Sequence, residues 1–191
     1  SYTFRPDSYL FDVSVRLSGV PGTAGGREVV LGWPGVLPTE EKEDDRGLAS
    51  VIYSEEGTER FNLGDLSKEP VRTVAGNLLW ATSQSRYFTA ALLADGGDSF
   101  ERVEAYGDQE RRTVGFRARR KIEAGSDDVM LRAYAGPQDY IRISKLGYEL
   151  ERAVDLGWSI TRPLSVLMLR ALVWAHGVVP NYGLVIIIFS I

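Results

Sequence analysis

The chain has 191 residues, 22 Lys and Arg against 26 Asp and Glu, a formal net charge of −4 and a hydrophobic content of 44%. This is the composition of a globular protein rather than a disordered or collagenous one, and the acidic balance argues against non-specific nucleic-acid binding, which needs a basic surface to displace counterions. With no cysteine and one histidine, His176, there is no disulfide framework, thiolate zinc site or cysteine nucleophile, and little room for histidine chemistry; neither a cofactor nor a metal is expected, and no catalysis.

From the N-terminus, Tyr9, Phe11, Val13, Val15 and Leu17 alternate with Leu10, Asp12, Ser14 and Arg16, the period of a strand with one buried face. Val29, Leu31 and Trp33 repeat the pattern after a glycine-rich turn at residues 22–26. The run Thr39-Glu-Glu-Lys-Glu-Asp-Asp-Arg46 reads as a solvated loop. Its carboxylates raise calcium as an alternative, but the alternating Asp-x-Asp-x-Asp-Gly spacing is missing. Shorter strands are expected at 49–54 and 58–63. A more apolar pair follows at 74–82 and 87–93, joined by a polar turn at Ser83-Gln84-Ser85-Arg86, and strands at 100–106, 113–118 and 129–135 complete the series. Many short strands without an intervening helical pattern imply a mainly β protein, an antiparallel sandwich or barrel.

Helical periodicity begins at Asp139, a suitable N-cap, with Ile143, Leu146, Leu150 and Val154 on one face and Arg142, Lys145, Glu149 and Arg152 on the other. This helix should lie half-buried on the sheet and end at Gly157. A second helix starts at Pro163, a residue tolerated in a first turn. Leu164, Leu167, Met168, Ala171, Leu172 and Ala175 form one apolar face, and Val166, Leu169, Val173 and Trp174 extend it, leaving Ser165 and Arg170 as the main polar interruptions. Such a helix belongs in a core or in a membrane interface, where Trp and Arg suit the headgroup level. After a turn at Gly177, Pro180 and Asn181, the run 183–191 is uncharged and β-branched. It is shorter than the roughly 20 residues that cross a bilayer, so the expectation is an internal fragment cut within a transmembrane helix. A buried terminal strand is the alternative.

Several segments resemble one family. Tyr134-Ala-Gly-Pro137, Val154-Asp-Leu-Gly-Trp158, Arg162-Pro-Leu164 and Asn181-Tyr-Gly-Leu-Val-Ile-Ile-Ile188 are similar to the part of the YidC/Oxa1/Alb3 membrane protein insertases where the periplasmic domain meets the second transmembrane helix. Tyr2-Thr-Phe-Arg5 and the segment from Trp80 to Arg86-Tyr-Phe-Thr-Ala-Ala91 resemble earlier parts of that domain. The positions that carry the resemblance are Gly136, Pro137, Asp155, Gly157, Trp158, Asn181, Tyr182 and Gly183.

The resemblance implies that residues 1–137 are part of a periplasmic antiparallel β-supersandwich domain, similar to sugar mutarotases. It further implies a helical linker on the sheet at 138–157, an interfacial amphipathic helix at 158–177 and the start of a transmembrane helix at 178–191. Pro163, Leu164, Leu167, Met168, Arg170, Ala171, Leu172 and Trp174 would form the membrane-interface helix. The implied activity is insertion and folding of inner-membrane proteins, alone or with the Sec translocon. The partners are then nascent membrane proteins, translocon subunits and the lipid bilayer, and the β-domain lies in the periplasm of the bacterial inner membrane. The family's groove arginine is expected beyond Ile191, so no groove residue transfers. Two other classes stay open. One is a carbohydrate- or peptide-binding sandwich, in which Trp33 or Trp80 would stack on a ligand; mutarotation itself needs an acid–base pair, commonly glutamate with histidine, and His176 lies past the sheet. The other is a translocon-docking domain without insertase activity of its own.

Overall fold

A computed structural model describes residues 1–17, 27–36, 45–122, 128–155 and 162–178. Packing divides the chain into two compact units, Ser1–Ala153 and Val154–Ile191.

The first unit is antiparallel β throughout. Its strands are β1 (Tyr2–Phe4), β2 (Leu10–Arg16), β3 (Arg27–Trp33), β4 (Ala49–Ser54), β5 (Gly57–Asn62), β6 (Val71–Gln84), β7 (Phe88–Ala94), β8 (Phe100–Asp108), β9 (Thr113–Ile122) and β10 (Asp128–Pro137). They run β1-β2-β10-β7-β6-β8-β9-β3, with β4 paired to β6 and carrying β5. The 14-residue β6 organises the rest. Its C-terminal part pairs with β7 from Trp80 to Gln84, and its N-terminal part pairs with β8 from Val71 to Leu78. Two wings therefore leave the same strand, and a register shift between Ala75 and Leu78 separates them. At that shift Gly76 takes φ +143, a conformation that a Cβ would strain.

The inner faces of the wings meet in one core. Val13, Leu92, Leu131 and Ala133 come from the first wing, and Phe100, Val103, Phe116 and Ala118 from the second. The alternation read in β2 is present, with Phe11, Val13 and Val15 inward, and Val29, Leu31 and Trp33 of β3 pack against the same core. Tyr9 departs from the pattern. It lies outside the strand, exposed, with its ring 6.2 Å from Tyr134.

Three elements differ from the sequence-based expectation. Ser83 and Gln84 were expected in a turn but are buried strand residues. Ser83 Oγ donates to the Val114 carbonyl at 2.6 Å and accepts from the Val36 N–H at 2.9 Å, and Gln84 Nε2 donates to the Ala153 carbonyl at 3.1 Å, while the buried Gln84 Oε1 has no hydrogen-bond partner among the described residues. Leu63 does not end a strand but begins α1 (Leu63–Lys68), too short to show a period, which buries Leu63 and Leu66 against Leu48 and Val114. Gly107 permits this packing, since a Cβ there would fall 2.9 Å from Leu66 Cβ.

The third concerns residues 139–153. Asp139 caps α2 (Tyr140–Ser144) as expected, accepting from the Ile141 and Arg142 N–H groups at 3.0 and 3.2 Å. The helix stops after five residues, because Gly147 at φ 79 and Glu149 at φ 54 turn the backbone left-handed before a 3-10 turn at Leu150–Ala153. The apolar positions still pack inward, with Ile143 and Leu150 buried.

The second unit contains α3 (Arg162–Val178). Among the described residues no helix is long and apolar enough to cross a membrane. The expected transmembrane start lies outside the described residues from 179 onward.

Candidate functional site

Because the strand order begins at β1 and ends at β3, the curl of the sheet leaves one crevice between its two terminal strands. This cleft has a volume of about 380 Å³. Phe11 and Val13 of β2 and Ala133 of β10 form one wall, Leu31 and Trp33 of β3 the other, and Tyr2 and Phe4 stand at β1. The aromatic rings are in contact across strands: Phe4 and Phe11 lie 4.8 Å apart and Tyr2 and Phe11 6.4 Å apart. Apart from the Tyr2 hydroxyl and the Trp33 indole N–H, the side chains lining the cleft are apolar. The arrangement can receive aliphatic and aromatic side chains, and the strands beside it offer backbone groups to an extended chain.

The two tryptophans considered for ligand stacking part company here. Trp33 lines the cleft. Trp80 is buried on the other face of β6, stacked on Tyr53 at 5.0 Å and 22°, and its Nε1 donates to the Tyr148 carbonyl at 3.0 Å. It belongs to a clamp over residues 148–153. Tyr53 OH donates to Glu149 at 3.0 Å, Arg132 lies 5.6 Å over the Tyr148 ring and Arg152 5.5 Å over the Tyr53 ring. Burial pushes the Tyr53 hydroxyl up from its ordinary pKa, and the hydrogen bond to Glu149 adds to the shift. The rim residues Tyr2 and Phe4 were not anticipated, because three residues of β1 are too few to show a period.

Of the family-like positions, Gly136 and Pro137 end β10. A Cβ on Gly136 would lie 2.6 Å from Tyr9 Cγ, so glycine is what lets the Tyr9 ring lie over the strand. Tyr134 OH donates to the Pro137 carbonyl at 2.7 Å, and burial pushes the Tyr134 pKa from 10.0 to about 12. A folded-state pKa above the unfolded value leaves stability complete below pH 10 and removes it as pH rises toward about 12. Alkaline titration of unfolding is therefore expected to show a loss of about 2 kcal/mol over that window, and Tyr134→Phe is expected to flatten it. Asp155 is exposed. Gly157, Trp158, Asn181, Tyr182 and Gly183 lie outside the described residues.

The interface-helix residues fall on α3, where the side chains of Pro163, Leu164 and His176 are outside the described set. Leu167 is 64% exposed and Trp174 73% exposed, Met168, Val173 and Arg170 are also exposed, and Ala171 and Leu172 are half-buried. The exposed apolar side chains spread around more than half of the helix, with Arg170 among them.

The acidic run lies outside the described residues up to position 44, and Asp45 at its end pairs with Arg112 at 2.6 Å. Among the described residues no group of three or more His, Asp or Glu could hold a metal ion.

The profile of the YidC periplasmic domain matches residues 1–167. Proteins named membrane protein insertase YidC match the chain in Chlorobaculum parvum at 32% identity, in Chlorobium luteolum at 30% and in Pelodictyon phaeoclathratiforme at 33%. These alignments cover 99–100% of this chain and 34% of each relative, so the chain spans about a third of the length of the curated relatives it matches.

Proposed function

Because the chain belongs to the YidC periplasmic-domain family, we propose that it serves as the periplasmic part of a membrane protein insertase of the bacterial inner membrane, with α3 lying in the outer leaflet interface. The match over residues 1–167 carries this reading, and the exposed Leu167, Met168, Val173 and Trp174 on α3 support the helix's place in it. The chemistry of such a parent protein is physical rather than covalent. Moving a polar loop through hydrocarbon strips backbone groups and charges of water at several kcal/mol each, and a hydrated groove elsewhere in the protein lowers that penalty. We assign that groove to other parts of such a protein, not to this domain. Its proposed part is to brace the machinery at the membrane surface, next to nascent membrane proteins and the Sec translocon.

Replacing Leu167 and Leu172 together with aspartate in the full-length insertase tests this. Each substitution removes apolar area worth about 1.5–3 kcal/mol when buried and adds a charge. Vesicle association of the present chain is expected to fall at least roughly tenfold, and insertion of a client protein to slow. Unchanged insertion with both aspartates in place would reject a bracing role.

The cleft supports a second reading, in which the sandwich holds an extended apolar segment without turning it over. Its aromatic lining and the strands beside it favour a peptide over a polar ligand. Titration with apolar peptides and with glycans, followed by Trp33 fluorescence in a chain whose other tryptophans are phenylalanine, separates the two: quenching by glycan alone would remove the peptide reading.

A further inference from the structure

The first unit has a second apolar surface, beyond the cleft floor, at the end of the first wing. Four segments converge there. The end of β1 meets the start of β2 through the pair Phe4–Phe11, the Ala135 N–H donates to the Tyr9 carbonyl at 3.0 Å, Pro137 pairs with Phe88, and the Gln138 N–H donates to the Tyr87 carbonyl at 2.8 Å. Phe4, Tyr9, Tyr87 and Phe88 are thus held at one end of the sheet, each between 42% and 68% exposed. Among the described residues of this unit the one other exposed aromatic is Tyr2, on β1. A soluble sandwich has no reason to gather its exposed rings at one end.

The charges at this end differ from the rest of the chain. Segments 4–9, 85–88 and 137–145 carry Arg5, Arg86, Arg142 and Lys145 against Asp7 and Asp139, in a chain of net charge −4. Asp139 caps α2 and lies 3.9 Å from Arg142, and Arg5 pairs with Asp12 at 3.0 Å, which leaves the cations in excess. Two of the arginines lie on the exposed rings themselves, Arg142 at 5.2 Å from the Tyr9 centroid and Arg86 at 5.6 Å from that of Tyr87. The far end of the same strands carries Asp95, Asp98 and Asp128, each paired with an arginine: Arg132, Arg120 and Arg16.

Tyrosine and phenylalanine rings bearing arginine, with a local excess of positive charge, match the headgroup layer of an anionic bilayer. Rings enter among the upper acyl carbons while guanidinium groups meet phosphate. We infer that this end of the sheet is a lipid-docking surface, by which the β-domain itself rests on an anionic membrane through Phe4, Tyr9, Tyr87, Phe88, Arg86 and Arg142. The inference takes from the proposed function only the choice of a bilayer as the apolar phase; the surface is independent of α3.

The absence of cysteine allows a direct test. Single variants Phe4→Cys, Tyr87→Cys, Met130→Cys and Trp174→Cys of the whole chain are labelled with an environment-sensitive nitrobenzoxadiazole dye. They are mixed with vesicles of phosphatidylethanolamine and phosphatidylglycerol at 3:1, or of phosphatidylcholine alone. Labels at 4 and 87 are expected to shift to the blue and brighten at least twofold with the anionic vesicles and less with the neutral ones. The label at Met130, exposed toward the far end of β10, should not respond. A response at 174 without one at 4 or 87 overturns the inference and leaves the α3 reading intact. A response at 4 and 87 without one at 174 supports it and removes that reading. Equal responses at all four positions indicate general adsorption and also overturn it.

Discussion

Trp80→Ala is expected to lower the unfolding free energy by about 3–5 kcal/mol, the range for deleting a large buried aromatic. The residue is nearly fully buried and stacked 5.0 Å from Tyr53, so truncation opens a cavity that strands tied on both sides by β4 and β7 cannot close. It also leaves the Tyr148 carbonyl without the Nε1 donor at 3.0 Å. For a chain of this length the melting temperature should fall by roughly 10 °C. Trp80→Phe keeps most of the ring and loses the hydrogen bond, so its smaller effect measures the donor, about 1 kcal/mol. Residues 148–153 are held through the same stack, and limited proteolysis there should accelerate in the alanine variant before global unfolding. Equal protease resistance in the two chains would mean that Glu149 and Arg152 hold the segment without the indole.

The second large effect is expected at Gly115, where space rather than backbone torsion demands glycine. A Cβ there would lie 2.7 Å from the Trp33 carbonyl oxygen, 2.8 Å from that of Pro34 and 2.7 Å from Tyr106 Cζ. Two of these are backbone atoms, which no rotamer change relieves, so Gly115→Ala must lift the end of β3 from β9. We expect a loss of about 2–3 kcal/mol, at the upper part of the range for overpacking, with faster amide exchange from Leu31 to Trp33. Because Trp33 is a wall of the cleft, the cleft should change shape too, and binding of an apolar peptide should weaken more than stability alone explains. Gly64→Ala is the control: the added methyl meets open space in α1, and stability should hold or rise by a few tenths of a kcal/mol. A neutral Gly115→Ala would show that β3 is free to move at this end.

The sequence discloses the elements whose physics is local. The two-residue period of β2 is legible because one face meets the core and the other meets water, and the Asp139 cap is legible because a carboxylate before an apolar periodic run has few other uses. Ser83 and Gln84 mislead for the opposite reason. Their side chains look like those of a turn, yet each finds a buried partner far along the chain, at Val114 and Ala153, and no neighbour in sequence announces that. Periodicity alone carries the helix from Asp139 too far, because Gly147 weighs little against four well-spaced apolar residues, whereas α2 ends at Ser144 and left-handed Gly147 and Glu149 keep it from resuming. The aromatic end of the sheet is assembled from three stretches separated by scores of residues. Only the pairing of β1, β2, β7 and β10 turns single rings into a surface.

The crevice between β1 and β3 has a mechanical meaning as well. A closed barrel resists dilation because every strand is bonded to two neighbours, and widening it anywhere tears amide-to-carbonyl links. Among the described residues β1 and β3 end the strand path without pairing to each other, so these two strands can part while each ladder stays whole. If the cleft holds an extended apolar segment as proposed, the resistance to its entry is then set by Phe11, Leu31 and Trp33 rather than by the β-sheet backbone.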